Sequence, residues 1–412
     1  MRNLFKIAIR NLIRYQRRTL LTASLITIGV VFVLVFVSVS GSFKTMITGQ
    51  ITDSMMGHLQ IHRKGYVASI DNLPLNLNMK PKAYRIIQQA LAADAQVEAF
   101  SPRLKFGGMF SNFTETTNIR LNGVNPEAEF ITVPLLSSRI IEGRQTLGKG
   151  EILIPALLAR GMKIKPGDPV VIVATNADGS VNGKQFIVSG ILESATGPGG
   201  RDGYVHMDDA AEALRMTEPQ VSEVAIRLKD FGRLAAAVAH LEKTTAGEVT
   251  PQGQPLLEVH SWEDLSPFFN IARMIDVMTL FIRIMLIAIV LISIMNVMVM
   301  AVYERIREIG TIAAIGTPPG KIRTMFILEG FCMGVVGAGA GVGIGAAIVA
   351  VINLIGIRFN FGLQKGLLLK ATLSLPDLLV VSIIVIVVAV LASLQPAVKA
   401  SRMEPIDALR HV

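Results

Sequence analysis

Four apolar runs constrain this chain more than anything else in it: residues 20–41, 280–302, 325–356 and 378–394. At about 1.5 Å of rise per residue, each reaches or nearly reaches across the roughly 30 Å hydrocarbon core of a bilayer. The shortest, 378–394, needs flanking residues or local thinning to do so. Hydrophobic residues make up 51% of the chain and charged residues 17%, too little polar surface for a soluble protein of this length. The excess sits in the four runs, while 42–273 has ordinary globular composition and is long enough to bury a core of its own. The expected fold class is a membrane α-helical protein with four transmembrane helices and a large mixed α/β extracytoplasmic domain inserted between the first and second. The expected boundaries are 1–18 for an amphipathic N-terminal helix, 19–41 for the first span and 42–273 for the domain with its stalk segments. The second span is 274–302, a cytoplasmic connection 303–323 and the third span 324–356. An outer loop follows at 357–376, then the fourth span at 377–395 and a tail at 396–412.

Orientation follows from the basic residues. Arg2, Lys6, Arg10, Arg14, Arg17 and Arg18 precede the first span with no acid among them. Arg305, Arg307, Lys321 and Arg323 sit between spans two and three, and Lys399, Arg402 and Arg410 follow the fourth. The positive-inside rule makes these segments cytoplasmic and the large domain external; Arg358, Lys365 and Lys370 in the outer loop are a minority against it. The formal charge of +9 therefore reads as topology and contact with anionic lipid, and no motif for nucleic acid is present. Phe5, Ile9, Leu12 and Ile13 lie apart from Lys6, Arg10 and Arg14 on the helical turn, which suits a helix along the inner leaflet. Ser38-Val39-Ser40 resembles a cleavage site, but the run before it is about 20 residues, longer than a signal h-region, so an uncleaved anchor is expected. The single cysteine, Cys332, falls inside the third run and reads as a packing residue.

Within the inserted segment, strand patterns occur at 57–62, 98–106, 117–124, 169–174, 184–192 and 221–228, and helical ones at 81–93, 208–215 and 231–243. Lys165-Pro166-Gly167-Asp168, Asp178-Gly179, Asn182-Gly183 and Gly197-Pro198-Gly199-Gly200 suggest tight turns in a β-rich subdomain near 125–215.

Catalytic constellations are not found. Gly143 to Lys149 approaches a nucleotide-binding loop, but Gly150 stands where Ser or Thr would hold magnesium, and a strand pattern (151–154) follows where a helix is required. His58 and His62 share one face of a strand without an acidic or cysteine partner nearby, so a solvated or hydrogen-bonded pair is expected, not a metal site. Two ionisable residues lie inside the runs. Arg283 is placed to snorkel outward, and Glu329 either snorkels toward Lys321 or Arg323 or pairs across helices. Gly337, Gly341 and Gly345 recur on one face of the third run, a surface for close helix packing within the chain or against a second subunit.

The segment 303–316 reads as a helix continuing the second span, with Gly316 as its C-cap and Thr317, Pro318 and Pro319 starting the next. Ile306, Ile309, Ile312 and Ala313 share one side. Such a helix can dock in a partner's groove, or be a short interfacial connector.

Here a resemblance adds what spacing cannot. Glu304-Arg305-x-Arg307-Glu308-Ile309-Gly310 with Ala314-Ile315-Gly316 resembles the signature of the permease family named for the cell-division permease, which includes lipoprotein-releasing and macrolide-exporter permeases. The tail from Pro396 through Ala400-Ser401-Arg402-Met403 to Pro405-Ile406 and Ala408-Leu409-Arg410 is similar to that family's C-terminal motif. Ala8-x-Arg10-Asn11-Leu12 with Arg17-Arg18-Thr19, and Gly161 to Asp168 with Phe186-x-Val188-x-Gly190-Ile191, are similar as well. The resemblance implies a bacterial inner-membrane ABC transporter permease that is not itself an enzyme. ATP and magnesium would be held by a separate cytoplasmic ATPase dimer docking on Glu304, Arg305, Arg307, Glu308, Ile309, Gly310, Ala314 and Gly316. It further implies a second permease subunit and mechanical coupling to the outer domain. Phe36, Phe43, Met46, Ile47, Phe268, Phe269, Ile271, Met274 and Met278 would line a lipid-facing cavity. Met56-Gly57-His58-Leu59 in place of the exporter branch's Gly-Ala-Asn run favours the lipoprotein-releasing branch, whose substrate is a lipoprotein passed to a periplasmic carrier. Export of an amphiphilic drug, peptide or lipid, and signalling to a cell-wall hydrolase, are the alternatives.

Overall fold

The computed structural model describes residues 2–194, 201–247, 256–361 and 364–403. It divides into a helical unit, Met1–Lys44 with Arg273–Arg358 and Leu368–Val412, and an inserted unit, Thr45–Ala272 with Phe359–Leu367.

The helical unit holds an N-terminal helix, Arg2–Arg14, and four long apolar helices: span 1 (Gln16–Ile51), span 2 (Phe269–Glu304), span 3 (Pro319–Ile355) and span 4 (Leu375–Ser401). Each outruns its apolar run at both ends or one, because polar turns cap it only later. Span 4 starts at Ser374, whose hydroxyl accepts from the Asp377 N–H at 3.2 Å. Its 27 residues reach about 40 Å, enough to cross the hydrocarbon without thinning. Span 1 runs unbroken through Ser38, whose hydroxyl donates to the Thr372 carbonyl at 2.9 Å. Span 3 ends where Gly356 turns left-handed at φ +65°. Val30, Leu34, Val290, Ile294, Phe326, Val385 and Ala389 fill the bundle interior, while Leu20, Phe32, Phe281 and Leu354 point outward. Outward apolar side chains suit a lipid surround, where every backbone polar group is satisfied within its own helix.

The glycine face of span 3 lies against span 1. A Cβ built on Gly337 would stand 2.6 Å from Ile26, one on Gly341 2.6 Å from Val30 Cβ, and one on Gly345 3.2 Å from Leu34. Gly330 and Gly334 give the same close approach to Ser393 and Ala389 of span 4. Gly341→Val is therefore expected to cost about 1–3 kcal/mol by overpacking. Gly339→Ala, which meets nothing within 4 Å, is expected to be tolerated. Thermal unfolding read by a thiol-reactive dye on buried Cys332, the only cysteine, separates the two.

The inserted unit is built on one mixed sheet. Its strands are β1 (Leu59–Arg63), β2 (Val97–Ser111), β3 (Thr116–Val124), β4 (Ile140–Gly143), β5 (Glu151–Pro155), β6 (Pro169–Thr175), β7 (Val181–Leu192), β8 (Gly203–His206), β9 (Glu223–Leu228) and β10 (Leu257–Ser261). They run in the order β10-β1-β9-β2-β3-β8-β5-β7-β4, with β6 beside β2 and β7. Strands β4 to β8 all fall in the β-rich stretch expected near 125–215, but they belong to the same sheet as the strands around them. The cause is the length of β2, which pairs with β9 over Val97–Arg103 and with β3 and β6 toward Ser111. Parallel β3–β8 pairing closes the other side. Gly167 and Gly179 make their turns at φ +97° and +83°, a region glycine enters without steric cost. Asn182-Gly183, expected as a turn, lies inside β7, and Gly197 to Gly200 lie outside the described residues.

Candidate functional site

Span 2 does not continue unbroken into the next helix as its periodicity suggests. It stops at Glu304; Arg305 leaves helical geometry at φ −110°, ψ 16° and caps a connector helix, Ile306–Ala314. The break lets the Arg305 side chain turn into the bundle. Its Nη1 donates to Glu329 Oε1 at 2.9 Å, and its guanidinium stands 4.5 Å from the Tyr15 ring centroid. Asn11 Nδ2 donates to the same oxygen at 2.7 Å. Glu329 is fully buried. An ionised carboxylate in such a place costs several kcal/mol unless a cation and hydrogen bonds compensate it. Arg305 and Asn11 do so, and the expected reach toward Lys321 or Arg323 is corrected to a pairing across helices. Arg283 has an acidic neighbour too, Asp377 of span 4 at 3.9 Å, and Lys44 of span 1 bonds Asp276 of span 2 at 2.6 Å.

Two outer pairs flank the buried one. Arg14 meets Glu308 at 3.4 Å and Arg18 meets Glu304 at 3.2 Å. The first is solvent-facing, worth about 0–1 kcal/mol, and so sets geometry more than stability, whereas Arg18 is half-buried and its partner exposed. Connector and N-terminal segment are thus held at Asn11, Arg14, Tyr15 and Arg18 on one side and Glu304, Arg305 and Glu308 on the other. The sequence signal was present: Arg14 and Arg18 repeat at four residues, as do Glu304 and Glu308, and the two rows match in reverse order. Charge counting absorbed the arginines as topology.

The connector's own face differs from expectation. Ile309 and Gly310 are buried and Ile306 and Ala313 half-buried, but Ile312 turns outward with Arg307, Glu308 and Ala314. Ile315 is 80% exposed. Gly316, at φ +94°, closes the helix with Gly316 N–H to Ala313 and Thr317 N–H to Ile312, a Schellman end that only a residue free at positive φ forms cheaply. Thr317 does not cap the next helix; Pro318 does, with no side-chain bond. The result is a rigid stub ending in an exposed isoleucine.

The nine residues expected to line a cavity are not alike. Ile47 is fully buried and packs, which corrects its assignment, whereas Met274 and Met278 are exposed on span 2. Phe269 stands edge-on to Trp262 at 5.9 Å. Phe36, Phe43, Met46, Phe268 and Ile271 are half-buried.

The inserted unit holds a second buried charged cluster. Arg103 Nε and Nη2 reach the two oxygens of Glu129 at 3.1 and 2.7 Å, and its Nη1 donates to Glu223 Oε1 at 2.9 Å. Lys105 reaches Glu223 Oε2 at 2.9 Å and His62 lies 3.6 Å from it. The sheet register makes this contact: Glu223 of β9 is directly opposite Arg103 of β2 and His62 of β1. His58 accepts from the Leu228 N–H at 3.0 Å; both histidines are buried, not solvated. Gly143 to Gly150 joins β4 to β5, strand to strand.

Burial pushes the Glu223 carboxyl up, but Lys105, His62 and Arg103 together hold it well below its ordinary value of 4.5. His260 is lowered below 6.5 by burial and by the neighbouring His62. Both are depressed in the folded state, so their stabilisation is complete above the unfolded values and is lost as pH falls. Unfolding midpoints, followed by fluorescence of Trp262, the only tryptophan, are expected to be flat above pH 6.5. They should slip below pH 6.5 and fall more steeply below 4.5.

Comparison with known proteins agrees with this architecture. Residues 19–244 match the MacB-like periplasmic core domain and residues 280–405 the FtsX-like permease C-terminal domain. The lipoprotein-releasing system transmembrane protein LolC of Neisseria meningitidis serogroup B is 23% identical, over 95% of this chain and 94% of that protein. The macrolide export ATP-binding/permease protein MacB 2 of Aeromonas hydrophila is 23% identical, over 98% of this chain and 60% of that protein. The periplasmic region of MacB from Actinobacillus actinomycetemcomitans aligns over 56% of this chain and 95% of its own, at 11% identity and a TM-score of 0.36. With one family model covering the inserted domain and another the last three spans, the chain belongs to the ABC transporter permeases that join a MacB-like periplasmic core to an FtsX-like permease domain.

Proposed function

We propose that this permease is the membrane subunit of a lipoprotein-releasing transporter of the bacterial inner membrane, with both termini cytoplasmic. A separate ATPase dimer docks on the connector helix, a second permease subunit pairs with this one, and ATP-driven closure of the ATPase moves span 2 and the periplasmic domain. The observation that carries this reading is the connector itself. It is clamped to the N-terminal segment and span 3 through Arg305, Glu329 and Asn11 and presents Ile315 beyond the clamp. A force applied to a rigid stub is transmitted; one applied to a loose loop is dissipated. The lipoprotein substrate, handed to a periplasmic carrier, is supported by the near-full-length likeness to LolC. The likeness to MacB 2 supports export of another amphiphile as the second reading.

Ile315→Glu tests the docking. Burying a charge where an apolar anchor sat is expected to cost on the order of 2 kcal/mol or more, about thirtyfold in affinity. The co-expressed ATPase should be lost in pull-downs while the Cys332 unfolding temperature stays put. Undiminished co-purification overturns the docking assignment. Reconstituted permease and ATPase that turn over ATP without freeing lipoprotein from proteoliposomes leave docking intact and reject the substrate.

A further inference from the structure

Between the N-terminal helix and spans 1 and 3 runs an open apolar groove of about 620 Å³, bounded by Phe5, Ile9 and Ile13, by Leu20, and by Phe331 and Val335. That volume lies in the range of about 300–1,000 Å³ typical of small-molecule sites. Its walls are mostly hydrocarbon, with Gln16 and Thr19 as the polar side chains among them. The basic residues beside it divide into two sets. Arg14 and Arg18 turn to Glu308 and Glu304. Lys6, Arg10 and Arg17 are exposed and, among the described residues, have no ion-pair partner. At 100° per residue, Lys6 and Arg10 follow next to the Phe5, Ile9 and Ile13 stripe, with Arg14 farthest from it at the end of the same row, turned to Glu308. An apolar slot edged by unpaired cations on one side is complementary to a molecule with an acyl chain and a negative head.

We infer that this groove holds one anionic phospholipid, its acyl chain against Phe5, Ile9 and Val335 and its phosphate beside Lys6 and Arg10. A second copy of the chain is the other apolar candidate. A two-fold contact through this surface would set Lys6, Arg10 and Arg17 against the same three cations, and like charges repel where the lipid phosphate attracts.

The test uses the full chain in nanodiscs of equal phosphatidylglycerol and phosphatidylethanolamine, with retained lipids weighed by native mass spectrometry. One retained phosphatidylglycerol is expected in excess over phosphatidylethanolamine. In K6Q/R10Q the excess should fall by on the order of fivefold for each cation removed. R14Q/R18Q removes the same charge from the two arginines already paired with Glu308 and Glu304 and should leave the ratio unchanged. Val335→Cys places an exposed thiol on the groove wall, where Cys332 itself is buried, and oxidation of membranes carrying it should give no disulfide-linked dimer. Parity of the two lipids in the wild type, equal loss in both double variants, or a disulfide-linked dimer of Val335→Cys overturns the assignment. The first denies a selective site, the second reduces it to general surface charge, and the third puts a second copy in the groove.

Discussion

Arg305→Ala is expected to lower the stability of the helical unit by about 3–5 kcal/mol, the cost of leaving a buried carboxylate without its cation. Glu329 is fully buried, and among the described residues the only other group donating to it is the neutral Asn11. The Cys332 dye assay reads the loss where it occurs, because that cysteine sits on span 3 one turn from Glu329. Arg305→Met/Glu329→Met removes both charges and keeps apolar volume, so it should recover most of the lost stability, as paired replacements of buried ions do elsewhere. It should not recover ATPase-driven turnover, because Arg305 also sets the break between span 2 and the connector. A single variant as stable as wild type would mean that Glu329 is compensated otherwise. A double variant with full turnover would mean that the connector keeps its position without the pair.

Much of this architecture is legible in the sequence, for physical reasons that also explain the misses. A run of 20 apolar residues has few folded alternatives to a spanning helix, and Gly316 and the Pro318-Pro319 pair punctuate the chain through local backbone preference alone. Pro81–Ala93 shows its helix by period. What escaped is long-range. Nothing within ten residues of Glu329 announces Arg305, and nothing near Asn11 announces either. The β-rich stretch near 125–215 was legible because turn residues are local signals, whereas its continuity with the rest of the sheet through the fifteen residues of β2 depends on which strands arrive on its two edges. Ile312 was grouped on one side with Ile306, Ile309 and Ala313 by a 3.6-residue period that takes no account of where span 2 breaks. Ile315, the most exposed part of the stub, was recognised only as part of a motif.

Arg103→Ala carries the largest expected effect in the periplasmic domain. Arg103 is 2% exposed, and it supplies both ion-pair contacts of fully buried Glu129 and one of those of Glu223. Burial alone would lower the Arg103 pKa, but Glu129 and Glu223 raise it, so the guanidinium stays charged across the accessible range. The two carboxylates fare differently when it goes. Glu223 keeps Lys105, while Glu129, on the short helix Pro126–Thr132, keeps no cation among the described residues. About 3–5 kcal/mol should be lost, seen as an earlier unfolding transition by Trp262 fluorescence with the Cys332 transition of the bundle unmoved. Glu129→Gln, which still accepts a hydrogen bond from Arg103 through its amide oxygen, should cost less. Arg103→Met/Glu129→Met should return much of the loss, since the charge left behind, not the missing contact, is the larger part of it. Equal destabilisation in Arg103→Ala and in the paired Met variant would instead assign the stability to the shape of the guanidinium between β2 and β9. A pair that holds by charge alone can be replaced without moving the sheet, whereas one that holds by shape also fixes the register of β9 against β2.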